Sequence, residues 1–209
     1  MIRENEAREI INRLEIESSY SKNGLGIFLY ETVLEISPLK IVEFGTLFGY
    51  SAICMGLALK TLGNGSLTCF DLWEDYSYKS SKRSDVQQRI DDLGVSDFVT
   101  LEKGNIFEGD WSNLNFDFCH IDVSNDGEKI YQIHEIFKEK IKSGIPVIFE
   151  GGTPERDNVE WMTKYKRASI CSTRDKLNYT VINEKFPGIS IFSDCISSDF
   201  IDKIKKENK

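Results

Sequence analysis

No apolar run in this sequence approaches the ~20 residues that a membrane-crossing helix needs, which argues against a membrane partner. Nor is there a basic surplus. The net charge is −8, from 26 Lys and Arg against 34 Asp and Glu, whereas a general nucleic-acid binder carries a basic stripe or excess. The basic clusters are Lys164-Tyr165-Lys166-Arg167 and a tail from Lys203 to Lys209, which suits the C-terminal end of a last helix. Nucleic acid is therefore excluded as a partner. The five cysteines, Cys54, Cys69, Cys119, Cys171 and Cys195, include no CxxC pair, which removes the usual zinc and disulfide frameworks. Three of them, Cys54, Cys69 and Cys119, lie in apolar runs and read as buried reduced thiols. From Met1 to Glu17 the chain is rich in Glu and Arg and has no apolar signal core, so a cytoplasmic protein is expected. There is no internal repeat and no low-complexity linker. With 209 residues, 40% hydrophobic and 29% charged, one globular domain spanning 1–209 is expected.

What is present is an alternation of helical patterns with short apolar strands, the mark of an open, mostly parallel α/β sheet. Asn5 to Ser19 reads as an amphipathic helix with Ile10, Ile11, Leu14 and Ile16 on its apolar side. A second helix runs from Gly26 to Ile36 and stops before Pro38. Strands are expected at Lys40–Phe44, Leu67–Asp71, Phe98–Glu102, Phe116–Asp122 and Ile145–Glu150. Between them lie a helix from Tyr50 that ends at Gly63, one with a Ser84/Gln87 capping box ending at Gly94, and one from Asp126 to Ile141. Thr153-Pro154 carries the signature of a helix start. Asn178–Asn183 and Ile189–Phe192, flanking Phe186-Pro187-Gly188, form a terminal hairpin. The chain is thus grouped as N-terminal helices over 1–37, a binding core over 38–152, and a C-terminal helix, hairpin and tail over 153–209.

The most informative stretch is Ile41-Val42-Glu43-Phe44-Gly45-Thr46-Leu47-Phe48-Gly49-Tyr50-Ser51. A buried strand runs into a glycine turn and then a helix start. Gly45 permits a sharp turn and Gly49 a close approach of backbone to a ligand. Asp71 ends the next strand 22 residues after Gly49, a spacing that suits an acid reading a ribose diol. Taken alone, the two glycines fit any α/β turn, and Thr46 or Ser51 can simply cap the helix. In an open parallel sheet ligands bind beyond the C-terminal strand ends. There the pattern places Glu43, Asp71, Asn105, Asp122 and Glu150. The dinucleotide fingerprint needs glycine at the position held by Leu47, so a nicotinamide cofactor fits less well.

Glu43 through Ser51 resembles the first motif of class I S-adenosylmethionine (SAM)-dependent methyltransferases. It is most similar to the small O-methyltransferases of the catechol O-methyltransferase type and to antibiotic- and sugar-modifying relatives. The resemblance extends through Asp71, Gly104-Asn105, Phe116 to Asp122 and the strand ending at Glu150, covering roughly Leu25 to Gly152. It implies a Rossmann-like fold with a mostly parallel seven-stranded sheet, a C-terminal antiparallel hairpin and helices on both faces. It also implies SAM as cofactor, with S-adenosylhomocysteine (SAH) as product.

By that resemblance the turn Gly45, Thr46, Gly49, Tyr50 and Ser51 faces the methionine carboxylate, and Glu43 lies beside the methionine portion. Asp71 takes the ribose hydroxyls, Leu72 and Trp73 lie at the adenine, and Gly104-Asn105 reads the adenine amino group. The acceptor is a small hydroxylated molecule, a sugar or natural-product intermediate. The candidate bases are His120, Asp122 and Glu150. Strand alternation puts His120 and Asp122 on one face, while a hydrogen-bonded core histidine is the plainer reading of His120. His134 reads as structural or exposed. In metal-using relatives an Asp at the Asp122 position binds Mg2+ together with an acid and an Asn or Asp from the next strand. Here Glu150 is followed by Gly151-Gly152, so Mg2+ is not favoured unless Asp126 or Asp157 replaces the missing ligand. Lys103, Arg156 and Tyr76 are edge-loop side chains within reach of a substrate. The alternative is a noncatalytic cofactor-binding protein. The N-terminal helices offer a surface on which two subunits can pair as a homodimer.

Overall fold

The computed structural model describes residues 1–123, 125–173 and 176–206. Of the basic tail, residues 207–209 lie outside the described residues. Seven strands form one sheet in the order β3-β2-β1-β4-β5-β7-β6, flanked by helices. The expected Rossmann-like α/β architecture, mostly parallel with a C-terminal antiparallel hairpin, is the one observed. Two compact units make up the chain, one of Met1–Asn105 with Asn115–Phe118, the other of Ile106–Leu114 with Cys119–Lys209. Among the described residues no helix is long and apolar enough to cross a membrane.

The first unit contains α1 (Glu4–Asn12), α2 (Leu25–Ile36), β1 (Lys40–Phe44), α3 (Tyr50–Leu62), β2 (Ser66–Asp71), α4 (Arg83–Asp92) and β3 (Val99–Lys103). β1 pairs in parallel with β2 from Lys40↔Ser66 to Phe44↔Phe70, and β2 with β3 from Leu67↔Val99 to Asp71↔Lys103. β1 is buried at every residue after Lys40, as a strand covered on both faces must be. α3 is apolar all round because it is covered all round: every residue from Tyr50 to Leu59 is buried, and α2 packs on it. α3 stops at Gly63, which has φ +75° and donates its N–H to the Leu59 carbonyl at 2.8 Å.

Two sequence expectations fail in this unit. α1 ends at Asn12, not Ser19. From Leu14 to Tyr20 burial alternates residue by residue, so Leu14-Glu15-Ile16-Glu17 follows the two-residue period of extended chain. The Ser84/Gln87 capping box does not form either. α4 starts at Arg83, whose backbone N–H is taken by Glu74 Oε2 at 3.1 Å, while Gln87 bonds to Asp91 on the exposed face.

The second unit holds β4 (Phe118–Ile121, from Cys119 on), α5 (Gly127–Ile136), α6 (Lys138–Lys142), β5 (Val147–Glu150), α7 (Pro154–Asp157), α8 (Glu160–Lys164), β6 (Tyr179–Asn183), β7 (Ile189–Phe192) and α9 (Ser198–Lys206). β4 and β5 are parallel from Cys119↔Val147 to Ile121↔Phe149. β7 runs antiparallel to β5 and to β6, with a register shift between Val181 and Asn183. The Phe186–Pro187 peptide bond in the hairpin is cis. Phe149 anchors the aromatic core, 4.7 Å from Phe192 and 5.5 Å from Tyr179 between ring centroids. The expected single helix from Asp126 to Ile141 is broken at Phe137, which has φ −103° and ψ 14°. Ile130, Ile133, Phe137 and Ile141 are buried throughout, so their spacing runs unbroken across the break.

Candidate functional site

In the first unit β1 delivers Glu43 and Phe44 into a turn with three left-handed residues, Gly45 (φ +87°), Leu47 (φ +47°) and Gly49 (φ +88°). Glycine adopts this region without steric cost and leucine does not. Leu47 is held there by Asp71. Asp71 Oδ2 accepts the backbone N–H of Thr46 at 2.8 Å and of Leu47 at 2.9 Å, and Oδ1 accepts that of Trp73 at 2.9 Å. A carboxylate has about four lone-pair positions, so one remains for another donor. The remaining turn N–H groups at Gly45 and Gly49 go to the carbonyls of Phe70 and Thr46. The N–H groups of Gly45, Thr46, Leu47 and Gly49 therefore have partners within the chain, and the N–H groups that open α3 are suited to an anion. Its N-cap is Gly49, which brings no side-chain bond.

Behind the turn Glu43 is fully buried and its Oε2 accepts the Thr46 hydroxyl at 2.9 Å. Thr46 thus joins β1 to the turn instead of capping α3. Burial, and then the charge of Glu43, push the Cys69 thiol well above its ordinary value and raise that of Cys54 too. Tyr50 turns inward. A Cβ on Gly26 would lie 2.8 Å from its ring carbons, and burial raises its phenol above the usual range. Ser51 is buried beside it. Trp73 is 2% exposed and donates its indole N–H to the Glu102 carbonyl at 2.9 Å, so its ring is a core element of this unit. Leu72, Gly104 and Asn105 are half-buried, Leu72 directly after the end of β2 and Gly104 directly after that of β3. Gly104 donates its N–H to the Asp71 carbonyl at 3.1 Å. Lys103 pairs with Asp75, and Tyr76 stacks obliquely on Tyr78 at 5.5 Å, both on the exposed surface.

In the second unit His120 is fully buried within β4, opposite Ile148. Asp122, just past the strand, is half-buried. Glu150 ends β5 at 5% exposure, and its partners are Asn125, earlier in the chain, and Arg156, after it. Asn125 Nδ2 donates to Glu150 Oε2 at 2.9 Å, Arg156 Nη2 donates to Asn125 Oδ1 at 2.6 Å, and the same nitrogen lies 3.7 Å from Glu150 Oε1. Sequence reasoning missed Asn125. Its one signal is a polar residue directly before Asp126, the residue that caps α5 by accepting the Lys129 N–H at 3.1 Å. His134 is buried in α5, bonded through Nε2 to Asp194 at 2.9 Å and edge-on to Phe192, a structural placement.

A family model described as a methyltransferase domain matches residues 42–150. Among solved structures the fold is shared with an O-methyltransferase from Bacillus cereus in complex with SAH, at TM-score 0.58 and 16% identity over 90% of this chain and 88% of that one. It is also shared with SAH-bound PaMTH1 of Podospora anserina (TM-score 0.57, 14% identity, 90% and 85% covered). A third is TomG of Streptomyces achromogenes, an O-methyltransferase of tomaymycin synthesis in complex with SAM (TM-score 0.53, 16% identity, 89% and 85% covered). At these identities the likeness is one of fold. No curated protein matches the sequence. The family match spans just over half of the 209 residues and contains the glycine turn, Asp71, Asp122 and Glu150, and on that ground this chain belongs to the methyltransferase domain family.

Proposed function

We infer that this methyltransferase binds SAM at the Gly45–Gly49 turn and methylates a hydroxyl of a small molecule, a sugar or natural-product intermediate. The observation that carries the reading is the turn itself, three left-handed residues locked by Asp71 in front of an α3 whose N-cap has no side-chain bond. Its first N–H groups suit a carboxylate. The remaining acceptor position on Asp71 suits a ribose hydroxyl. The cofactor, when bound, supplies an electrophilic methyl on sulfonium, and the chain's part is to hold donor and acceptor in line.

Of the three candidate bases, Asp122 is the least buried, standing just past the end of β4. A base must come within hydrogen-bond reach of the acceptor's proton, which favours Asp122 over the fully buried His120 and over Glu150 beside Arg156. The burial of two of the three also supports a second reading, a protein that binds the cofactor without catalysis.

Calorimetric titration with SAH, with NADH as control, tests the cofactor. Methyl transfer from labelled SAM to a panel of sugars and phenols then separates the two readings. SAH binding with transfer that Asp122→Asn abolishes is the expected result. SAH binding with no transfer selects the noncatalytic reading, and failure to bind SAH rejects both.

A further inference from the structure

A divalent cation such as Mg2+ is held by oxygen ligands whose lone pairs converge on one open point. In the second unit Asp126 and Asp157, the acids that could stand in for a missing ligand, have their lone pairs directed elsewhere. Asp126 caps α5 and its Oδ2 lies 3.8 Å from Arg167 Nη1. Asp157 accepts the Ser169 hydroxyl at 2.6 Å and the backbone N–H groups of Ile170 and Cys171 at 2.9 and 2.8 Å. Neither is free to replace the ligand that Gly151 lacks. Among the described residues no three His, Cys, Asp or Glu side chains are grouped to hold a metal ion. The residues present do not fit the cation that the resemblance would allow.

A positive charge is nonetheless there. Arg156, Asn125 and Glu150 close a buried ring in which the amide of Asn125 bridges guanidinium and carboxylate. The guanidinium also lies over the Trp161 ring at 5.5 Å, and its Nε is buried without a hydrogen-bond partner. Gly151 makes room for it. A Cβ at that position would stand 3.3 Å from Arg156 Cγ and 3.0 Å from Ile170 Cδ1, on a backbone with φ +105°. The residue at which the sequence departs from the metal-using pattern is thus the one that admits the arginine stem.

We propose that Arg156 is a resident guanidinium standing where metal-using relatives hold a divalent cation, so that this enzyme needs no divalent metal. The proposal rests on the methyltransferase reading. It assigns Arg156 as a positioning residue that fixes Glu150 and Asn125 and supplies the charge that a metal otherwise brings. A guanidinium is suited to this because it stays protonated at any working pH and presents several donors in one plane.

The test is Mn2+ uptake by the full-length protein, followed through the electron paramagnetic resonance of free Mn2+, with SAH calorimetry on the same preparations. The wild type and Arg156→Lys, which keeps the charge, are expected to leave Mn2+ free. Arg156→Ala is expected to bind one Mn2+ that Mg2+ displaces, at least about tenfold tighter than the wild type. Arg156→Gln repeats the measurement with a bulkier neutral side chain should the alanine variant not fold. Mn2+ uptake by the wild type overturns the proposal. So does a folded pair of neutral variants that takes up none. Loss of SAH binding in the wild type would reject the methyltransferase reading instead, and is read independently of the metal.

Discussion

Asp71 and Leu47, 24 residues apart in the chain, are joined by a 2.9 Å hydrogen bond from the Leu47 backbone N–H to Asp71 Oδ2. The acid that the sequence marks as a ribose partner is therefore also the residue that shapes the turn. Hydrogen bonds to a charged group are worth about 1.5–3 kcal/mol, and donors left without their acceptor are penalised. Asp71→Ala should accordingly destabilise the protein before any ligand is added, by about 1–3 kcal/mol in urea unfolding. SAH affinity should fall at least about tenfold in calorimetry. Unchanged stability together with unchanged affinity would refute both roles.

Gly49→Ala probes the other end of the turn. At φ +88° an added Cβ would also meet Val86 Cγ1 at 2.7 Å. Left-handed backbone costs a side chain about 1–2 kcal/mol and overpacking a further 1–3 kcal/mol. Thermal unfolding should show a loss of at least about 2 kcal/mol. A neutral substitution would mean that α4 shifts freely away from the turn.

Glu150 and Arg156 have side chains only 6% and 14% exposed. Removing one partner of a buried ion pair strands the other and costs about 3–5 kcal/mol. Glu150→Ala should lose stability on that scale, and Asn125→Ala less, since it removes no charge. Equal, small losses from both would show that water takes over the solvation of Arg156.

The acid limb of stability should respond to Asp157. Burial pushes its carboxyl up, but the Ser169 hydroxyl and the Cys171 and Ile170 backbone donors outweigh that and hold it below its ordinary value. A group depressed in the folded state contributes stability above its unfolded pKa, about 3.9, and loses it as pH falls through the folded value. Asp157→Asn should therefore be less stable than the wild type at neutral pH, with the gap narrowing below about pH 4. Urea melts at neutral and acid pH measure it. A gap independent of pH would assign the effect to lost hydrogen-bond geometry alone.

Thiol reactivity checks the packing of both units. Cys195 is exposed and Cys171 half-buried, whereas Cys54, Cys69 and Cys119 are buried. A disulfide reagent should label Cys195 fast, Cys171 slowly, and the other three only after denaturation.

How much of this could be read beforehand follows from how local each cause is. β1 was legible to the residue, because Ile41, Val42 and Phe44 make a short apolar strand that ends at a glycine. The stop of α3 at Gly63 was legible for the same reason. The end of α1 was not, since Ile10, Ile11 and Leu14 fit a helical period as well as Leu14 and Ile16 fit a strand period. At the site, the acids at the strand ends were visible as residues, but their partners were not. Nothing local in the sequence says that Asp71 reaches back to Leu47 or that Arg156 reaches Asn125, 31 residues earlier.

The pairing of Gly151 with Arg156 has an evolutionary consequence. A side chain at Gly151 would sit on a backbone at φ +105° and crowd the arginine stem, 3.3 Å from its Cβ, and removing the arginine first strands Glu150. Each single step away from the guanidinium form therefore carries a cost in stability. The two positions are coupled, so that what is tolerated at one depends on what stands at the other.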